Sequence, residues 1–201
     1  MLSAAAATSI AMLAGTTAGV AAGYWGAWTD SAVGYLVNVF LAFPALLLAL
    51  IFAAILGPGL GHGIVALSAS GWTRYARVVR AIVRTERRAR YVDASRAMGA
   101  TPWHIVRVHV LPSVYPAISV MAMFGLANTV LSLSVLSFLG LGVVPPTPEW
   151  GAMIESSRPF LSIRPGLLLW PAGALIATMA LLHWIGETTR ENTRLDLRVE
   201  Q

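Results

Sequence analysis

Five stretches of the chain are almost wholly apolar, and the segments between them gather nearly all of the charge. The runs are Leu2–Gly23, Val33–Leu56, Gly63–Val83, Ser113–Gly140 and Leu167–Ile185. A helix of about 20 apolar residues crosses the hydrocarbon core of a bilayer, so each run predicts a membrane span. The last, inside "LLLWPAGALIATMALLHWIG", holds no charge. The third is interrupted, because Arg74, Arg77 and Arg80 enter its second half. Arginine at the bilayer centre costs roughly 2.5–3.5 kcal/mol on insertion scales, so these residues mark where the helix leaves the lipid. The pattern predicts an all-α fold, a multi-spanning membrane protein with about five transmembrane helices.

Composition supports lipid as the main solvent. Of 201 residues, 57% are hydrophobic and 11% charged, against roughly 25% charged in a soluble domain. One domain is expected, residues 1–190, followed by a cytoplasmic tail, residues 191–201. The run "MLSAAAATSIAMLAGTTAGVAAGYW" has no basic residue before its apolar core. The first basic residue is Arg74, so the run reads as a span and not as a signal peptide. Tryptophans 25, 28, 72, 103, 150, 170 and 184 fall at or near the predicted borders, where amphipathic rings settle.

Charge fixes the orientation. The net charge of +5 is carried by arginine, since the sequence has no lysine. Arg74, Arg77, Arg80, Arg84, Arg87, Arg88, Arg90, Arg96 and Arg107 lie in one region, which the positive-inside rule places in the cytoplasm. Leu56–Gly63 and Gly140–Gly166 then face outward, and the tail with Arg190, Arg194 and Arg198 returns to the cytoplasm. The N-terminus falls outside, which suggests that a preceding helix is missing and that Met1 is not the true start. Arg74 to Arg88 recur at three- and four-residue intervals, so they line one side of a helix. Such a stripe suits anionic lipid headgroups, or else an acidic cytosolic partner.

The search for chemistry excludes more than it finds. A phosphate-cradling P-loop needs a lysine, and there is none. HExxH and GxSxG are absent, and His62, His104, His109 and His183 have no metal-ligand spacing. With no cysteine, disulfides and thiolate metal sites are excluded. Gly57, Gly59 and Gly61 fail the dinucleotide spacing and lie between two spans. No catalytic residue, metal site or cofactor is expected, and the arginines are placed for lipid, not nucleic acid. Gly15, Gly19 and Gly23 share one helix face at four-residue spacing, which predicts close packing against another helix of this or a second subunit.

The segment "YVDASRAMGATPWHIVRVHVLP", Tyr91 to Pro112, interrupts the apolar pattern. Glu86 to Met98 reads as a short helix, with Gly99 placed to end it in the left-handed conformation. Thr101 and Pro102 read as N-cap and first residue of a second short helix through His109, with Pro112 opening the next span. Ala94 and Ala97 give the first helix a small, smooth face. The residues alone fit a docking element or an ordinary loop.

The segment resembles the "EAA" loop of the permeases of ATP-binding-cassette (ABC) importers: Glu-Ala-Ala, three residues, Gly, nine residues, an apolar residue, one residue, Leu-Pro. Asp93-Ala94-Ser95 stands at EAA, Gly99 at the glycine and Leu111-Pro112 at Leu-Pro, while His109 fills the apolar position. "LAFPALLLAL", "WTRYARVVR", "SFLGLGVVPPTPEWGAMI" and the Gly186-Glu187 ending are similar to the second permease of dipeptide, oligopeptide and nickel importers. Aspartate replaces the family's glutamate at residue 93, serine replaces an alanine at residue 95, and the family's N-terminal span is absent. The resemblance implies a bacterial cytoplasmic-membrane permease with a cytoplasmic coupling-helix loop. Asp93, Ala94, Ser95, Ala97, Gly99, Leu111 and Pro112 would couple it to cytosolic ATPase subunits. A second, homologous permease would complete the path and an external solute-binding protein would deliver substrate, with peptide the first expectation and nickel the second. A non-transporting scaffold is the remaining reading.

Overall fold

The computed structural model describes residues 1–144 and 146–199, with side chains through residue 191, and the regular elements among them are all helical. They are α1 (Leu2–Trp25), α2 (Ala27–Leu41), α3 (Ala45–Leu56), α4 (Leu60–Glu86), α5 (Arg90–Ala97), α6 (Pro102–Ile105), a π-helical turn (Val106–Val110), α7 (Leu111–Phe138), α8 (Trp150–Ser157), a 3₁₀ turn (Arg158–Phe160) and α9 (Gly166–Val199).

Among the described residues, three helical stretches are long and apolar enough to cross a bilayer: Leu2–Trp25, Pro102–Phe138 and Gly166–Glu191. The expected second span, Val33–Leu56, is instead two helices, α2 and α3, bent by 90°. Pro44 has no N–H to donate, and its ring disfavours helical geometry at Phe43, so the chain must turn there. If this bent pair counts as one span, the total is four. Helix α4 has 27 residues, enough to cross, but its arginine-rich half keeps it out of that set.

Helices α1 and α4 pack along one another through the glycine face. A Cβ at Gly19 would lie 2.8 Å from the Ala76 carbonyl oxygen and from Val79 Cβ. At Gly23 it would lie 2.7 Å from Val83 Cβ, and at Gly15 it would collide with the Trp72 carbonyl oxygen. The neighbour of this face is thus a helix of the same chain. Small residues let backbones approach in lipid, where apolar surface gains nothing by leaving the solvent. Threonine and serine add polar links: Thr8 Oγ1 donates to Thr129 Oγ1 at 3.0 Å and Ser68 Oγ to the Ala7 carbonyl at 3.2 Å.

Two features departed from the hydrophobic pattern. The segment after Gly140 contains α8, which is clasped between two spans. Glu149 caps its first turn, accepting from Ala152 N–H at 3.1 Å, and its other oxygen accepts from Ser134 Oγ of α7 at 2.7 Å. At the far end Ser157 Oγ donates to the Leu167 carbonyl of α9 at 2.9 Å. Trp72, expected at a membrane border, lies inside the α2–α4 contact with its ring 5.8 Å from that of Phe40.

Candidate coupling surface

The polar insert folds as a helical hairpin, α5–Gly99–α6, at the arginine-rich end of the molecule. Its first helix starts later than the pattern predicts, because α4 runs on to Glu86 and a turn over residues 87–89 precedes α5. The turn is tied by Tyr91, whose hydroxyl donates to Glu86. The end of α5 is a Schellman cap: Ala100 N–H donates to the Ser95 carbonyl at 3.0 Å and Gly99 N–H to the Arg96 carbonyl at 2.9 Å. Gly99 has φ +86°, the left-handed conformation that glycine adopts without steric cost. Thr101 then caps α6, its hydroxyl accepting from His104 N–H at 3.3 Å.

The second helix does not end before Pro112. It continues through the π turn into α7, so that Pro102–Phe138 is one helical stretch of 37 residues. In an α-helix the ring of Pro112 would press on the carbonyl four residues earlier, and that carbonyl would lose its partner. The π turn widens the ladder just ahead of the proline, and Leu111 N–H reaches back five residues to the Val106 carbonyl.

The sequence-predicted coupling residues fall in three places. Asp93, Ala94 and Ala97 are exposed and share the outer face of α5 with Met98, which is 81% exposed. Asp93 does not cap its own helix; it pairs with Arg96 at 2.9 Å and keeps 65% of its side chain exposed. Ser95 points the other way. It is buried, donates to the Tyr91 carbonyl at 2.9 Å and sits 3.2 Å from His109 Nε2. Leu111 and Pro112 are exposed on the stem that leads into α7 and stand apart from the α5 face.

The inner face of α5 meets the spans through one fully buried residue. Val92, 0% exposed, enters a cluster with Val20 and Tyr24 of α1, Val79 and Val83 of α4, and Ile105, Val106, Val110 and Val114 of the α6–α7 stem. Fully burying a valine contributes about 1.5–3 kcal/mol relative to water. His109 adds a second tie, its ring 5.3 Å from that of Tyr91.

One charged residue that organises the arginine region was missed. Asp30, at the start of α2, bonds Arg80 Nε at 2.5 Å and lies 3.7 Å from Arg84 Nη1. Gly34, one turn on, leaves room for the Arg80 guanidinium, whose nitrogens would lie 3.0–3.1 Å from a Cβ there. Part of the arginine stripe thus faces α2 and not lipid. The available signal was that Asp30 is the only acidic residue before Glu86.

A bundle of apolar helices with a polar helical hairpin at its basic end is the architecture of a multi-spanning membrane protein. The chain belongs to the family of binding-protein-dependent transport system inner membrane components, which it matches over residues 15–187. It is 34% identical to the glutathione transport system permease protein GsiD of Pectobacterium atrosepticum over 90% of its length and 60% of that protein's. It is 35% identical to the dipeptide transport system permease protein DppC of Alkalihalophilus pseudofirmus, again over 90% of this chain and 60% of the relative. With the nickel transport system permease protein NikC of Escherichia coli K12 it shares 34% identity over 89% of this chain and 64% of that one. The chain therefore spans about 60% of the length of the curated relatives it matches first. Its fold is similar to a chain of the MetNI methionine ABC transporter in an inward-facing conformation, with TM-score 0.66 and 22% identity over 96% of this chain and 93% of that one.

Proposed function

We propose that this chain is a permease subunit of an ATP-driven, binding-protein-dependent importer that carries di- or oligopeptides across the bacterial cytoplasmic membrane. The observation that carries the reading is the two-faced α5: Asp93, Ala94 and Ala97 outside, Val92 and Ser95 inside. The outer face is small enough to enter a groove on a cytosolic ATPase. Closure of the ATPases on ATP pushes α5, and the Val92 cluster carries the displacement to α1, α4 and the α6–α7 stem. Those elements rock between inward- and outward-open arrangements, a shift that requires different contact free energies in the two states. A second, similar permease completes the path, and an external binding protein delivers the solute. In this reading the chain itself hydrolyses nothing.

The test places a bulky residue on the outer face. Ala97→Trp should abolish co-purification of the ATPase and uptake of a radiolabelled dipeptide into vesicles holding the full complex. Its level in the membrane should stay unchanged. Retained ATPase and retained uptake would remove α5 as the docking helix. Uptake of ⁶³Ni²⁺ but not of dipeptide would reassign the substrate while leaving the permease reading intact.

A further inference from the structure

A polar pocket of about 480 Å³ lies at the cytoplasmic end, between the α1–α2 turn, the start of α2, the end of α4 and the near edge of α5. Arg84, Arg87, Arg88 and Arg96 line it, with Asp30 and Asp93, so four positive charges face two negative ones, an excess of two. The aspartates are already engaged. Asp30 is held by Arg80 and Arg84, and Asp93 by Arg96. Arg87 and Arg88 have no acidic partner among the described residues, although two adjacent guanidinium groups repel one another. Gly23 and Gly26 leave the opposite wall bare, and Arg87 is pressed onto it. Its Nη1 would lie 2.7 Å from a Cβ at Gly26.

We propose that this pocket binds a phosphate-bearing anion clamped by Arg87 and Arg88, and that the bound anion links the α1–α2 turn to the coupling helix. Guanidinium forks match the paired oxygens of phosphate. The excess of two charges suits a phosphate dianion or one phosphodiester with a neighbouring headgroup. The same chemistry is offered by the headgroup of an anionic lipid and by soluble phosphate. Basic pockets between helices on the cytoplasmic side suit the former. The site stands on the pocket's own geometry and does not depend on which solute is imported.

The experiment uses the full chain in nanodiscs, with two probes. One is equilibrium binding of radiolabelled orthophosphate in phosphatidylcholine discs. The other is retention of radiolabelled phosphatidylglycerol against phosphatidylcholine after extraction from mixed vesicles. Arg87→Gln/Arg88→Gln should weaken whichever probe binds by at least tenfold, and Arg87→Lys/Arg88→Lys should recover part of the loss. Arg74→Gln/Arg77→Gln is the control. It removes two exposed arginines of α4 that lie outside the pocket. It should leave binding unchanged. Retention of the lipid alone identifies a headgroup site, and binding of orthophosphate a soluble-anion site. Two results would each overturn the proposal. They are no binding of either probe and equal losses in both glutamine pairs.

Discussion

Asp30 sits between the arginines of α4 and removes the repulsion they would otherwise exert on one another. Its partner Arg80 lies over Gly34 with about a quarter of its side chain exposed, so the pair is screened less than a surface bridge. Asp30→Asn keeps the shape and deletes the charge. It should cost about 1–2 kcal/mol, more than a fully exposed pair and less than a buried one. Thermal unfolding in detergent should register this as a drop of about 2–4 °C per kcal/mol. Combining it with Arg80→Gln should cost less than the two losses added together, and strict additivity would mean the groups are not coupled. Gly99 gives the second residue-scale expectation. A β-branched residue at φ +86° is strained, so Gly99→Val should disturb the Schellman cap. ATPase co-purification and transport-coupled ATP hydrolysis should both fall. Unchanged values in both would show that the turn does not set the pose of α5. The left-handed turn was legible because helix-ending glycines follow a local rule. Asp30 was not, because pairing it with Arg80 requires knowing that α2 returns alongside α4.

The seam between α1 and α4 is the element on which the bundle depends. At Gly19 even a methyl group would press on a backbone carbonyl, which cannot turn aside as a flexible side chain can. Gly19→Ala should therefore push the helices apart at a cost of roughly 1–3 kcal/mol and lower the yield of folded protein in detergent. Gly61→Ala provides the contrast. Nothing lies within 4 Å of a Cβ there, so that variant should match the parent or gain a few tenths of a kcal/mol from reduced unfolded-state freedom. Equal yields of the two variants would argue against a tight seam. The four-residue glycine spacing announced a close contact but not its partner, since spacing describes one helix at a time. Helix α8 stayed hidden for another reason. It has 8 residues, too few for a periodic signal, and it is held by Glu149 and Ser157 bonds to residues distant in sequence.

For the whole molecule, the hydrophobic pattern located the apolar mass well and its direction less well. Hydropathy records how much apolar chain there is, not whether it runs straight. The α2–α3 pair therefore passed as one span until the bend at Pro44 was seen. The orientation rests on the arginines, and single cysteines test it cleanly in a chain that has none. Ser95 is buried against His109 and would react slowly, so the inner probe belongs at exposed Ala94 and the outer probe at exposed Thr147. A membrane-impermeant maleimide should label Ala94→Cys only in inside-out vesicles and Thr147→Cys only in right-side-out ones. The reverse pattern would invert the topology and leave α5 without access to any cytosolic ATPase.

The π turn ahead of Pro112 has one more consequence. A helix closed by bonds to the fifth residue back holds about one residue more per turn than a helix closed to the fourth. The turn over Val106–Val110 thus works like a phase plate. It sets the compass bearing of everything before it relative to everything after it, by close to 100° of azimuth, one residue's worth of α-helical rotation. Relaxing that turn to ordinary α geometry would swing the hairpin around the axis of α7 without altering a single residue of the outer face of α5. The bearing of that face is thereby written into the stem, well away from the residues that form it.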